Sequence, residues 1–215
     1  MKKFLVLGIL FALPITAYLF FALGENNFSK LPVLTKNVKN IDSFSTATDS
    51  LISFQNKISV VAFFGKDLDK IKGNTFNLDK KILEKYYQFN DFQFVIIIPK
   101  GTEDQVTGFV EKFKNISNTR AWKFVYASPQ QIEEVFNSFK TPYQLDKNEY
   151  SPYVFLVDKD ANLRGRMQEE DEDKVYGYDS RNVAELNNKM NDDLKIVLAE
   201  YRLALKKNNV YNREN

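Results

Sequence analysis

The runs ISVVAFF (Ile58–Phe64) and FQFVIIIP (Phe92–Pro99) constrain this chain more than any other feature in it. Successive side chains of a strand point to opposite faces, so a run that is apolar throughout needs cover on both sides. Between the two, Phe76, Leu78, Ile82, Leu83, Tyr86 and Tyr87 recur at roughly helical spacing. Leu51–Phe54 reads as a shorter strand ahead of them. Thr102 with Gln105 predicts a capping box for a helix bearing Val106, Phe109, Val110 and Phe113. Trp122–Ala127 predicts another strand. Ser128 then caps a helix that has Pro129 at its first position and runs to about Phe139. The segment PYVFLVDKDANLRGRM predicts a hairpin turning at Asp158–Asn162, and residues 182–207 a long helix. This order predicts an α/β domain with a mixed central sheet flanked by helices.

What the chain lacks narrows its chemistry. It contains no cysteine and no histidine. Thiol exchange, thiolate metal sites and a histidine-dependent triad are therefore excluded. Copper favours thiolate, thioether and imidazole, and only Met1, Met167 and Met190 offer a soft atom. We expect no cofactor and no catalytic residues. A net charge of +2 leaves no broad basic field to hold a nucleic acid, so none is expected as a partner.

Phe4–Leu23 runs without a charge behind Lys2 and Lys3. At ~1.5 Å per residue a helix of that length reaches ~30 Å, the apolar thickness of a bilayer. The leading lysines favour a cytoplasmic N-terminus, which puts the rest of the chain outside the cytoplasm. The expectation is a single-pass anchor in a bacterial inner membrane carrying a periplasmic domain, with a cleaved signal peptide as the rival. The organisation that follows is an anchor (or signal peptide) over 1–24, a polar tether over 25–40, the domain over 41–207 ending in its long helix, and a polar tail over 208–215. Within the tether, the apolar LPVL is expected to pack onto something.

From about Leu31 to Leu205 the chain resembles the Sco (SenC) family of membrane-anchored, thioredoxin-fold proteins, which help deliver copper to cytochrome oxidase. The family's signature follows the first core strand as an aromatic pair, then Thr-x-Cys-x-x-x-Cys. On FFGKDLDKI the two cysteine positions are Asp67 and Ile71. AWKFVYASPQQIEEVF is similar to the family's tryptophan-containing strand, turn and helix. The family's histidine ligand is matched by Tyr150. By likeness to other thioredoxin-like proteins, Pro152 is the loop proline, with a cis peptide bond expected.

The resemblance thus implies a thioredoxin-like scaffold without its metal ligands, hence not an enzyme. Lys66, Asp67, Asp69, Tyr150, Pro152 and Tyr153 are the candidate partner-binding residues. For the charged loop, a solvated surface explains the composition as well as a docking surface does. Tyr150, Pro152 and Tyr153 read somewhat better as plugs for the vacated site than as a contact surface. Glu169–Asp173, EEDED, lacks calcium-loop spacing and reads as a solvated turn. The segment YGYDSRN, Tyr176–Asn182, is an unusual lead-in to the last helix and reads either as a specific contact or as a capping turn. The function expected is a binding or assembly factor, with subunits of a respiratory complex as implied partners. The alternative is a structural accessory subunit of a larger membrane complex.

Overall fold

The computed structural model describes residues 2–23, 30–46, 51–117, 119–167 and 174–211, except for the side chains at 2, 5, 21–23, 120 and 204–211. The EEDED segment and the end of the tail lie outside them. Helix α1 spans Lys2–Leu23 and contains Pro14. Strands β1 (Val33–Thr35), β2 (Ser45–Thr46) and β3 (Ile58–Phe64) follow. Helix α2, residues 72–86, includes a π-helical turn at Asp79–Leu83. Next come β4 (Phe92–Pro99), α3 (Glu103–Lys114), β5 (Trp122–Ala127), α4 (Pro129–Ser138), β6 (Tyr150–Val157), β7 (Leu163–Arg164) and β8 (Tyr178–Asp179). Helix α5, residues 183–211, has a second π-helical turn at Leu186–Met190.

The sheet order is β1-β7-β6-β3-β4-β5-β2, with β8 also pairing β6. β3, β4 and β5 are parallel, whereas β6 runs antiparallel to β3. The mixed sheet is therefore as the pattern predicts. Alternation along β3 divides the core: Val60, Ala62 and Phe64 face α2, α3 and α5, while Val61 and Phe63 face α4 together with Val38, Ile41, Phe44, Ile52 and Phe54. That two-sided cover is what the apolar strands demanded.

Four local expectations change. Leu51–Phe54 forms no strand; Ile52 and Phe54 are buried as a loop, and the Phe54 N–H donates to Asn40 Oδ1 at 2.9 Å. A side-chain partner replaces the sheet there, and β2 forms earlier, on the edge beside β5. Ser128 and Gln131 make the reciprocal capping box, but Thr102 Oγ1 donates to Pro99 O at 2.7 Å and caps nothing. No peptide bond among the described residues is cis, so Pro152 is trans, its carbonyl accepting from Ser180 N and Oγ at 2.9 and 2.6 Å. Finally, the presumed tether is structured from Leu31 onward. Leu31 is buried and β1 pairs with β7, because Arg164 donates to Leu31 O and Glu200 Oε1 accepts from Leu31 N at 2.8 Å.

Among the described residues no helix is long and apolar enough to cross a membrane. The side chains of Leu5 and of residues 21–23 in α1 fall outside that description, so the span expected over Phe4–Leu23 rests on the sequence.

Candidate functional site

The loop after β3 turns on Gly65, whose φ of +65° suits glycine. A Cβ there would meet Asn148 O at 2.4 Å and Tyr150 Cβ at 2.9 Å. The close approach lets Lys66 N–H donate to Asn148 O at 3.1 Å, which stitches the loop to the segment before β6. Lys66 Nζ also reaches the Glu149 carboxylate at 3.0 Å. On the facing side, Asp146 Oδ1 accepts from the N–H groups of Asn148 and Tyr150, at 2.7 and 3.0 Å, fixing that turn.

The loop alternates anchors and charges. Leu68 and Ile71 are buried in the core. Between them Asp67 pairs with Lys70 at 2.7 Å, and Asp69 pairs with Lys72 and Lys112 at 2.5 and 3.1 Å. The hydrogen bond from Lys70 holds the Asp67 carboxyl below its ordinary range, and those from Lys72 and Lys112 do the same for Asp69. Each charge in this stretch already has an opposite partner, so the loop presents a neutral polar mosaic.

Tyr150 joins this cluster. Its hydroxyl accepts from Asn74 Nδ2 at 2.7 Å, at the start of α2, and burial raises its pKa. Tyr153 does not join it. Three residues along an extended strand puts it on the opposite face, where its ring stacks on Tyr143 at 3.7 Å. Pro152 lies between, its carbonyl occupied by Ser180. The six expected residues are thus one cluster (Lys66, Asp67, Asp69, Tyr150) plus two neighbours along β6.

The residues that close the site come from α2 and from the YGYDSRN segment, outside the six expected residues. Asn77 Nδ2 donates to Ser180 O at 3.3 Å, and Arg181 clasps Asp179 with Nε and Nη2 at 2.9 and 2.6 Å. Arg181 also lies within electrostatic reach of both Tyr150 and Tyr153. The lead-in YGYDSRN therefore serves as a bracket across the start of β6. Its composition marked it as unusual, but only its pairing with β6 gives it a role.

No protein family profile matches the chain, and no curated protein does. Solved structures do. BsSco, described as a member of the Sco family of cytochrome c oxidase assembly proteins, is 14% identical, with 77% of this chain and 94% of that chain covered, at a TM-score of 0.54. Arabidopsis thaliana ScoI with copper bound is 15% identical over 74% of this chain and 98% of that one, at 0.49. A thioredoxin-family thiol:disulfide interchange protein from Chlorobium tepidum is 16% identical over 79% and 99%, at 0.49. The likeness to BsSco establishes the fold, a thioredoxin-like α/β sheet of the Sco type.

Copper does not fit the residues at the matching positions. Asp67 is engaged by Lys70, Ile71 is a buried hydrocarbon, and Tyr150 is a phenol held by Asn74. Among the described residues no three carboxylates converge to hold any metal ion.

Proposed function

We propose that this chain is a non-catalytic, membrane-anchored binding or assembly factor of the cell envelope, engaging a protein partner through the surface around Lys66, Asp67, Asp69, Tyr150, Pro152 and Tyr153. One observation carries this reading. Where the fold places reactive groups, this chain has a turn stitched by Gly65 and Asn148, plugged by Ile71 and Tyr150, and faced with charges that pair among themselves. Such a surface is ordered and polar, with tyrosines at its margin, and suits recognition better than bond-making.

The anchor is supported by Phe4, Leu10, Phe11, Leu13 and Phe20, which α1 leaves exposed, and by Lys2 and Lys3 ahead of them. That orientation puts the domain in the periplasm. The Sco-type fold supports a respiratory complex under assembly as the partner.

The test is in-membrane cross-linking of the full chain from Lys66, with mass spectrometry of the products. Substoichiometric products with respiratory subunits are expected. A constant ratio to the subunits of one other complex replaces the assembly role with a structural one. Recovery of the chain alone from washed membranes overturns both.

A further inference from the structure

At the pole opposite this loop, where β3 and β4 begin, lies an open groove of about 610 Å³ that the function above leaves unused. Its apolar wall is built by Ile58, Tyr86, Phe89 and Leu198. Phe89 is 48% exposed although its ring lines the groove. A mostly apolar groove of this volume falls within the size range of ligand sites, and the Phe89 ring in it is open to contact.

The rim is cationic. Lys159, Lys195 and Arg202 line it, with Asp91 as the acidic counterpart. Lys159 is committed to Asp91 at 2.5 Å and lies 5.4 Å from the centre of the Tyr201 ring. The Tyr201 hydroxyl donates to Asp160, and Lys195 pairs with the exposed Asp192 on the same helix at 2.8 Å. Arg202 makes no ion pair among the described residues and projects from an exposed position. Once the pairs among the described residues are set aside, the Arg202 guanidinium and the surface-paired Lys195 ammonium border the hydrocarbon wall.

Chain geometry adds a second argument. Leu31, buried and close in sequence to the anchor segment, bonds to Glu200, next to Tyr201 in α5. Residues 24–30, however arranged, reach at most ~25 Å. If α1 is the anchor, this pole is confined near the bilayer surface, and a weak contact there gains from the high effective concentration.

We propose that the groove binds an anionic membrane lipid, its acyl chain against Phe89, Ile58 and Leu198 and its acidic head on Arg202 and Lys195. The lipid contact orients the domain, turning the Lys66–Tyr150 surface away from the membrane towards a partner. The orienting role rests on the anchored reading, whereas the site itself rests on the groove.

The test reconstitutes the full chain in vesicles of phosphatidylcholine, with or without phosphatidylglycerol that bears a photoreactive acyl chain. Labelling is expected on peptides containing Phe89 and Leu198, and should fall about tenfold when Lys195→Glu and Arg202→Glu are combined. Equal labelling by a photoreactive phosphatidylcholine, or labels concentrated on the Lys66–Lys72 loop, overturns the proposal. Labelling by a water-soluble photoreactive fatty acid but not by vesicle lipid also overturns it, in favour of a free-amphiphile site. Alkali-resistant association with the vesicles reports on the anchor separately, so failure of the anchor and failure of the groove are distinguishable.

Discussion

Two regions of this molecule are built from the same chemistry, cations facing carboxylates, and differ almost entirely in where they sit. Under α5, Arg164 is buried with its guanidinium on Asp158 at 3.0 Å, on Glu200 at 2.7 Å and on the carbonyl of Leu31. Close by, Arg166 holds Asp193 at 2.9 Å, and the Tyr178 hydroxyl donates to the same carboxylate at 2.6 Å. After β3, Asp67, Asp69, Lys70 and Lys72 make pairs of similar length in water. In the first region, where Arg164, Asp158 and Asp193 are buried, loss of one partner strands a charge that solvent barely reaches. In the second, water replaces the partner at once. The buried network fixes the N-terminal segment and α5 to the sheet. The exposed pairs fix little, which leaves their residues open to selection for binding.

The contrast is broken or sharpened by substitution. The largest effect is expected for Arg164→Ala, which leaves Asp158 buried and Glu200 half-buried without their cation; a loss of about 3 kcal/mol in denaturant unfolding is predicted. A loss under about 1 kcal/mol would mean that the network does not lock α5. Next comes Gly65→Ala. The positive φ and the 2.4 Å approach to Asn148 O predict a cost of about 2 kcal/mol in the same measurement, with loosened amide protection at Lys66.

Asp79 tests the buried side of the comparison through pH. Its carboxylate is 1% exposed, Ser117 donates to Oδ1, and Oδ2 has no hydrogen-bond partner among the described residues, with Lys80 Nζ 3.8 Å away. Burial raises its pKa above the ordinary carboxylate value, against the smaller opposing effects of Ser117 and Lys80. The folded state then holds its proton at pH values where the unfolded chain has released it. This contribution to stability accordingly grows as pH falls through the raised value and is complete below the unfolded pKa of 3.8. Asp79→Asn should be the more stable form at neutral pH, by on the order of 1 kcal/mol, with the gap closing in acid. A gap independent of pH would show that Asp79 titrates normally.

The smallest effect on stability, and the most informative for function, belongs to the loop. Asp67→Lys should leave the melting midpoint unchanged while lowering the yield of partner cross-links roughly tenfold. A shifted midpoint with intact cross-links would reverse the roles assigned to the two regions.

The sequence by itself determined the scaffold. Strands β3 and β4 fall where continuous apolar runs placed them, since a strand buried on both faces can be little else, and the aromatic-rich β5 falls where it was expected beside them. The Ser128 cap and the Asn182 start of α5 were likewise written locally, in one side chain and the next three amides. The absence of cysteine and histidine fixed what the site could not do. Tertiary structure decided the rest. Thr102 has a capping sequence, yet its hydroxyl turns to Pro99. Leu51–Phe54 has strand residues but finds Asn40 in place of a neighbouring strand. Tyr150 and Tyr153, three apart, part to opposite faces, while Asn74, Ser180 and Arg181, distant in sequence, close around β6. Periodicity and capping act over a few residues and can be read along the chain. The partners of a hydroxyl, a carboxylate or a buried arginine lie up to 169 residues away, as Leu31 and Glu200 do, and become definite only when the sheet brings them together.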